Sequence, residues 1–194
     1  GIVPEFIICK RITPAESWTC YHKSLGNNAY IILDTNATSG SGSTLWNDTT
    51  PTSTLFYLGS GGNTNNSGDE YISYVFAPIR GYSFMGSYTG NGNANGTFIY
   101  TGFKPAYFLL KVTDATGNWY VFDNKRDGFN PDTWELYPDD TGVEGANYRV
   151  DFLSNGFKFR NASNPVNGTG ENMVFLAMAE SPFVNSSSVP NTTY

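Results

Sequence analysis

The chain is poor in the residues that most chemistry needs. Its 194 residues include one histidine, His22, and two cysteines, Cys9 and Cys20. Zinc sites draw on clustered His and Cys ligands, and three scattered residues supply no cluster. A Ser-His-Asp arrangement would have to recruit His22, and no G-x-S-x-G turn is present to hold a nucleophile. No G-x-x-x-x-G-K-S/T phosphate loop occurs. Charge is scarce as well: 11 Lys and Arg stand against 17 Asp and Glu, for a net charge of −6. Without a basic cluster there is no surface to track nucleic-acid phosphates. The longest apolar runs, FIIC and YFLL, are far short of the ~20 residues of a membrane-spanning helix. The expectation is therefore a protein that is not an enzyme, with no cofactor, no metal site, and neither nucleic acid nor membrane as partner.

Aromatic residues make up 16% of the chain and charged residues only 14%, so Asn, Ser, Thr and Gly must supply the polar surface. Such residues disfavour helices, because Gly costs backbone entropy and Asn, Ser and Thr offer the backbone competing hydrogen bonds. Short strands and tight turns fit better. Strands read directly from the sequence are PEFIICKR, SWTCYHKS, AYIILDT, TLFYLG and EYISYVFAP, then PAYFLLKV, NWYVFDNK, YRVDFL, GFKFRN and NMVFLAMAE. Between the two sets, YSFMGSYTG and GTFIYTGF flank GNGNAN, which predicts a hairpin. Only DTWELYPDD has room for a single helical turn.

The two sets echo each other. GIVPEFIICKRITPAESWTCY at 1–21 lies over GFKPAYFLLKVTDATGNWYVF at 102–122 with an offset of 101, so Pro4 meets Pro105, Lys10 meets Lys111 and Trp18 meets Trp119. DEYISYVFAP at 69–78 lies over ENMVFLAMAE at 171–180 with an offset of 102. Between these, TLWND answers ELYPD and STLFYLGS answers VDFLSNG, at offsets of about 91–97. Four matches in one order predict a duplication. The fold expected is all-β, with two tandem, similar β-sandwich (jelly-roll-like) units and little or no helix. The first unit spans 1–80 and lacks its leading strands, the second spans 81–183, and 184–194 forms a C-terminal tail or arm.

Each chemically suggestive feature has a plainer counterpart. His22 aligns with Asp123 and reads as a structural or surface residue. Cys9 and Cys20 would sit roughly opposite each other in a hairpin, yet Leu110 and Val121 fill the matching slots. Both therefore read as small core hydrophobes. The carboxylate pairs Asp139–Asp140 and Asp69–Glu70 fit an exposed turn and a strand entry better than a glycosidase dyad. Asp123, Asp127 and Asp132 could offer oxygens to calcium, but their spacing is irregular and Lys125 and Arg126 oppose a cation. Trp46, Trp134 and Tyr137 fall in loops, where aromatic rings can stack on sugars, and are the candidate ligand or partner surface. Eight N-x-S/T sequons, at Asn36, Asn47, Asn65, Asn95, Asn161, Asn167, Asn185 and Asn191, modestly exceed the about four expected by chance in so Asn-rich a chain. In a secreted eukaryotic protein they would be glycan acceptors.

The run from GYSFMGSYTGNGNANGTFIYTGFKPAYFLLKV through VDFLSNGFKFRNAS to MVFLAMAESPF resembles a two-part repeat domain of marine and freshwater bacteriophage tail-fibre-like virion structural proteins. PEFIICKR, SWTCYHKSLG and YISYVFAPIRGYSFMGSY resemble the first part of that domain. The resemblance extends to about Phe183 and carries over no catalytic residue. It implies a virion structural protein in a tail fibre or capsid decoration, on the particle surface, assembling with itself and with other virion proteins. Host-surface glycan is a further partner on a carbohydrate-binding alternative. A secreted glycoprotein or glycoside-cleaving enzyme is the remaining alternative. Members of the family carry a Gly/Thr-rich strand before the segment matching GIVPEF, and this chain starts after it. The expectation is a domain cut from a larger polypeptide, a processed product, or a unit completed in trans by a neighbour's strand.

Overall fold

The computed structural model describes residues 1–182. The tail expected at 184–194 lies outside them, with Asn185 and Asn191. Twelve strands follow in order: β1 (Phe6–Thr13), β2 (Trp18–His22), β3 (Ala29–Ile32), β4 (Gly40–Ser41), β5 (Glu70–Phe76), β6 (Ser83–Thr89), β7 (Phe98–Tyr100), β8 (Pro105–Val112), β9 (Trp119–Asp123), β10 (Val150–Leu153), β11 (Gly156–Phe159) and β12 (Asn172–Ala179). Helix among the described residues is limited to α1 (Ser43–Trp46), α2 (Gly62–Asn65) and a 3-10 turn at Lys23–Leu25. The protein is all-β.

The strands form three antiparallel sheets. The first has the order β4-β3-β2-β1-β5, the central one β6-β12-β8-β9, and the third β10-β11-β7. Side chains alternate across a strand, so every strand has two faces to cover. Phe6 of β1 faces the central sheet, in a cluster with Cys20, Ile31, Leu109, Trp119 and Leu176. Ile7 and Cys9 face the other way and pack on Tyr21, Leu45 and Trp46 under a cover built from α1, α2 and the chain between them. On its far face the central sheet meets the third, where Phe108 stacks on Phe157 with ring centroids 4.1 Å apart. The order of layers is cover, first sheet, central sheet, third sheet. Runs such as FIIC and YFLL are continuously apolar because both faces of those strands are covered.

The echo in the sequence returns as strand register. β1 pairs β2 as Phe6↔His22 through Lys10↔Trp18, and β8 pairs β9 as Tyr107↔Asp123 through Lys111↔Trp119, each position displaced by 101. β1 pairs β5 as Phe6↔Phe76, and β8 pairs β12 as Tyr107↔Met178. What surrounds these three-stranded cores differs. The segment TLFYLG, expected as a strand, is irregular chain in the cover, whereas its counterpart VDFL is β10. The cluster between the first and central sheets draws on residues from both sides of position 80.

Three further expectations are corrected. β6 and β7 do not form a hairpin: β6 pairs with β12 in the central sheet and β7 with β11 in the third. The Gly/Asn segment between them crosses from one sheet to the other. Asn167, which is buried, holds it, donating from Nδ2 to Asn91 Oδ1 (3.0 Å), Asn93 O (2.9 Å) and Asn161 O (2.8 Å). Cys9 and Cys20 are not opposite each other: Cys9 pairs with Thr19 and Ile8 with Cys20, which sends the two thiols to opposite faces. Both are free and buried, and burial raises both thiol pKa values. No helical turn forms in DTWELYPDD; its residues make isolated bridges, Glu135 to Gly145 and Leu136 to Val121.

Candidate functional site

The three loop aromatics separate. Trp46 is buried in the cover, edge-on to Tyr21 at 5.7 Å, so its ring offers no ligand surface. A four-residue helix, α1, turned it inward, and a short polar flank gave no sign of that. Tyr137 is partly buried and donates its hydroxyl to Glu135 Oε1 at 2.7 Å. Glu135, fully buried, also accepts from Asn147 Nδ2 at 2.7 Å, so the cluster is occupied in holding its own loop. Trp134 remains 37% exposed, in a segment that also exposes Phe129 and Val143.

The carboxylates have local partners. Asp139 Oδ1 accepts from Trp119 N at 3.0 Å and Asp140 Oδ1 from Gly142 N at 3.0 Å, so this pair shapes a turn. Asp69 joins Arg11 at 2.5 Å. Asp123 takes Arg126, and Asp127 accepts from both N and Oγ1 of Thr133. Asp132 is buried, and the loss of solvation pushes its carboxyl up to about 6. Among the described residues no group of three or more His, Cys, Asp or Glu is placed to hold a metal ion. His22 lies between the first and central sheets. Its Nδ1 accepts from Ser24 N at 3.1 Å, which leaves Nε2–H to donate to Phe175 O at 3.2 Å. Burial lowers its pKa to about 4, with Lys23 adding to the shift.

Two of the clefts among the described residues bear on function. One, of about 580 Å3, follows the seam near Arg80, Phe84 and Tyr100 and has Arg80 as its only charged lining residue. The other, of about 370 Å3, opens between the first and central sheets and is lined by apolar side chains, among them Phe6, Phe76, Leu109 and Met178. It lacks the convergent polar groups that orient a small ligand.

The most distinctive surface is the outer edge of β5, which loop-based reasoning passed over. Antiparallel strands turn alternate residues' backbone groups to alternate sides. Lys23 N donates to Glu5 O at 2.8 Å and Leu33 N to Trp18 O at 2.9 Å, which fixes the phase across the first sheet. Ile72, Tyr74 and Phe76 of β5 then bond to β1, while the N–H and C=O groups of Tyr71, Ser73 and Val75 point away from the sheet. No described strand pairs with that edge. Ile72, Tyr74 and Val75 are 41%, 43% and 47% exposed. Tyr74 stacks on Trp18 at 6.2 Å and Lys10 Nζ lies 5.5 Å from the Trp18 ring, extending the patch inward. The matching edge of β12 is closed: Met173, Phe175 and Ala177 face Tyr88, Gly86 and Phe84 of β6. Gly86 is required there, since a Cβ would come within 2.8 Å of both the Phe175 and Phe84 rings.

Residues 1–182 match the model of a family described as a domain of unknown function (DUF7483). No curated protein and no solved structure matches the chain.

Proposed function

The chain belongs to the DUF7483 domain family, and we propose that it serves as a non-enzymatic structural component of a bacteriophage virion. Its place is a tail fibre or a capsid decoration at the particle surface, and it acts by assembling with itself and with other virion proteins. On this reading the chain is a duplication, with tandem sandwich-like units at 1–80 and 81–183 whose registers coincide and whose cover layers have diverged. The observation that carries the proposal is the open, apolar edge of β5. Soluble proteins blunt such edges with Lys, Pro or a bulge, because an unpaired strand recruits another. β5 spends seven residues on EYISYVF with neither Lys nor Pro. The resemblance to fibre-like phage proteins supports the same assignment, since those proteins work by assembly.

Light scattering on the purified 194-residue chain tests the assembly. The expected result is a defined oligomer of the 21.3 kDa chain. A monomer at every concentration overturns the proposal. Peptide mass spectrometry of purified particles tests the location, and recovery only from the soluble fraction of the producing cells overturns that part.

The exposed ring of Trp134, beside exposed Phe129, favours a second reading as a carbohydrate-recognition surface. Saturable binding on a glycan array, lost in Trp134→Ala, supports it; an array with no binding removes it.

A further inference from the structure

We propose that β5 pairs antiparallel with β5 of a second copy, about a twofold axis through Ser73, joining two five-stranded sheets into one of ten strands. The inference rests on the assembly reading above and names the surface and the register.

Four observations select this occupant. The outward groups of β5 belong to Tyr71, Ser73 and Val75, three positions spaced symmetrically about Ser73. A twofold axis there lets Ser73 exchange both backbone bonds with its own mate and places Tyr71 opposite Val75 in both directions. All seven residues, Glu70 to Phe76, then find partners; moving the axis to Ile72 or Tyr74 leaves residues at one end unpaired. The cross-strand neighbours are compatible as well. Ile72 lies beside Tyr74 of the second copy and Tyr71 beside its Val75, both aromatic–β-branched pairs of the kind that stabilise sheets. The only charge on the strand, Glu70, falls opposite Phe76 rather than opposite another carboxylate. A strand like β6 is the other natural occupant, since β6 closes the equivalent edge of β12. In a second copy β6 also ends its sheet, but a β5–β6 contact is heterologous and leaves each copy with a further edge to fill. A β5–β5 contact is isologous and closes both β5 edges at once.

The pairing also explains the exposed side chains. Ile72 and Tyr74 point to the central-sheet side of β5, beyond where that sheet covers it. In the pair they face the same residues of the second copy, and the Trp18–Tyr74 stack becomes a wall between the two central sheets.

The experiment uses the full chain and two variants. Val75→Lys places like charges near the new seam at an exposed position. Ser73→Cys places a thiol on the axis, where paired Cα atoms come within disulfide range. Cys9 lies directly opposite Ser73 across the β1–β5 pair and would compete for the new thiol, so Ser73→Cys is made in a chain that also carries Cys9→Ala. The expected results are a native mass twice that of Val75→Lys, an unchanged far-UV circular dichroism spectrum for that variant, and a covalent dimer of Ser73→Cys on mild oxidation. An oligomer that survives Val75→Lys, with no cross-link through residue 73, overturns the β5 pairing and leaves assembly standing through another surface. An open head-to-tail series of masses does the same and points to a β6-like donor strand. A wild-type monomer overturns the pairing and the assembly reading together.

Discussion

β5 and β12 occupy the same place in two similar arrangements and have different fates. Each lies antiparallel to a matching strand, β1 or β8, with the same register once β1 is displaced by 101 and β5 by 102. Ile72 corresponds to Val174, Ser73 to Phe175, Tyr74 to Leu176 and Val75 to Ala177. The β12 residues of these pairs are all buried. Those of β5 are half-buried or exposed. The cause is the neighbourhood: β12 has β6 along its second edge, the third sheet on one face and the first sheet on the other. β5 has β1 on one edge, loops on one face, and the end of the central sheet on the other. Local pattern sets which residues pair; what the rest of the chain supplies decides whether they are covered.

The comparison can be broken most forcefully at its centre. Phe175→Ala leaves a cavity among Phe84, Tyr88 and Phe157 and is expected to cost about 3–5 kcal/mol. The equivalent Ser73→Ala should stay within about 0.5 kcal/mol. Urea denaturation of both variants measures the contrast, and equal losses would mean that the two positions are packed alike.

His22 and Asp123 sharpen the comparison through pH. Asp123 is partly exposed and pairs with Arg126, whereas His22 is buried and held neutral. The folded ring titrates near 4 against 6.5 for the free side chain. Between those values the unfolded chain binds the proton and the folded one resists it. The stability His22 supports is therefore intact above pH 6.5 and is lost as pH falls towards 4, at up to about 1.4 kcal/mol per pH unit. His22→Gln should flatten that part of the pH dependence, read as the difference between wild-type and variant unfolding curves at pH 7 and 4.5.

The smallest effect concerns the matched lysines. Lys111 is buried, with Nζ on Val112 O at 2.7 Å, and burial depresses it to about 8 despite the pull of Asp139. Its depressed value means that the charge costs stability below pH 8, a cost relieved as pH rises towards 10.5. Lys111→Met is expected to raise stability at pH 7 by about 1 kcal/mol. Lys10→Met, at the half-buried counterpart over Trp18, should change little.

Much of the fold was legible because strand pairing is written locally. FIICK and WTCYH announced a strand pair, and the 101-residue offset carried its register to YFLLK and WYVFD. The choice of sheet was not legible. β6 and β7 looked like a hairpin because GNGNAN fits a turn, yet the turn chemistry is equally served by a crossing held by Asn167. TLFYLG has a strand's composition, but no neighbouring edge reaches it. Trp46 looked like a loop residue because a four-residue helix leaves no periodic trace. Of the candidate surface, Trp134 stayed outside and Tyr137 turned halfway in. The β5 edge was signalled by EYISYVF itself, a strand apolar on both faces with no Lys or Pro to blunt it. Its lack of a neighbour could be known only from the sheet order.

The Asn167 crossing has a consequence for how the protein can be produced. Asn167-Gly-Thr is a sequon, and its side-chain amide is the nitrogen that ties Asn91, Asn93 and Asn161 together inside the fold. Oligosaccharide transfer in a secretory pathway acts on the nascent chain, before such a site closes. A sugar on that nitrogen would leave the 90–97 crossing without its anchor and a bulky polar group where the fold has no room. Expression in a eukaryotic secretory host should therefore trap unfolded material, whereas a cytoplasm without this modification lets the crossing close.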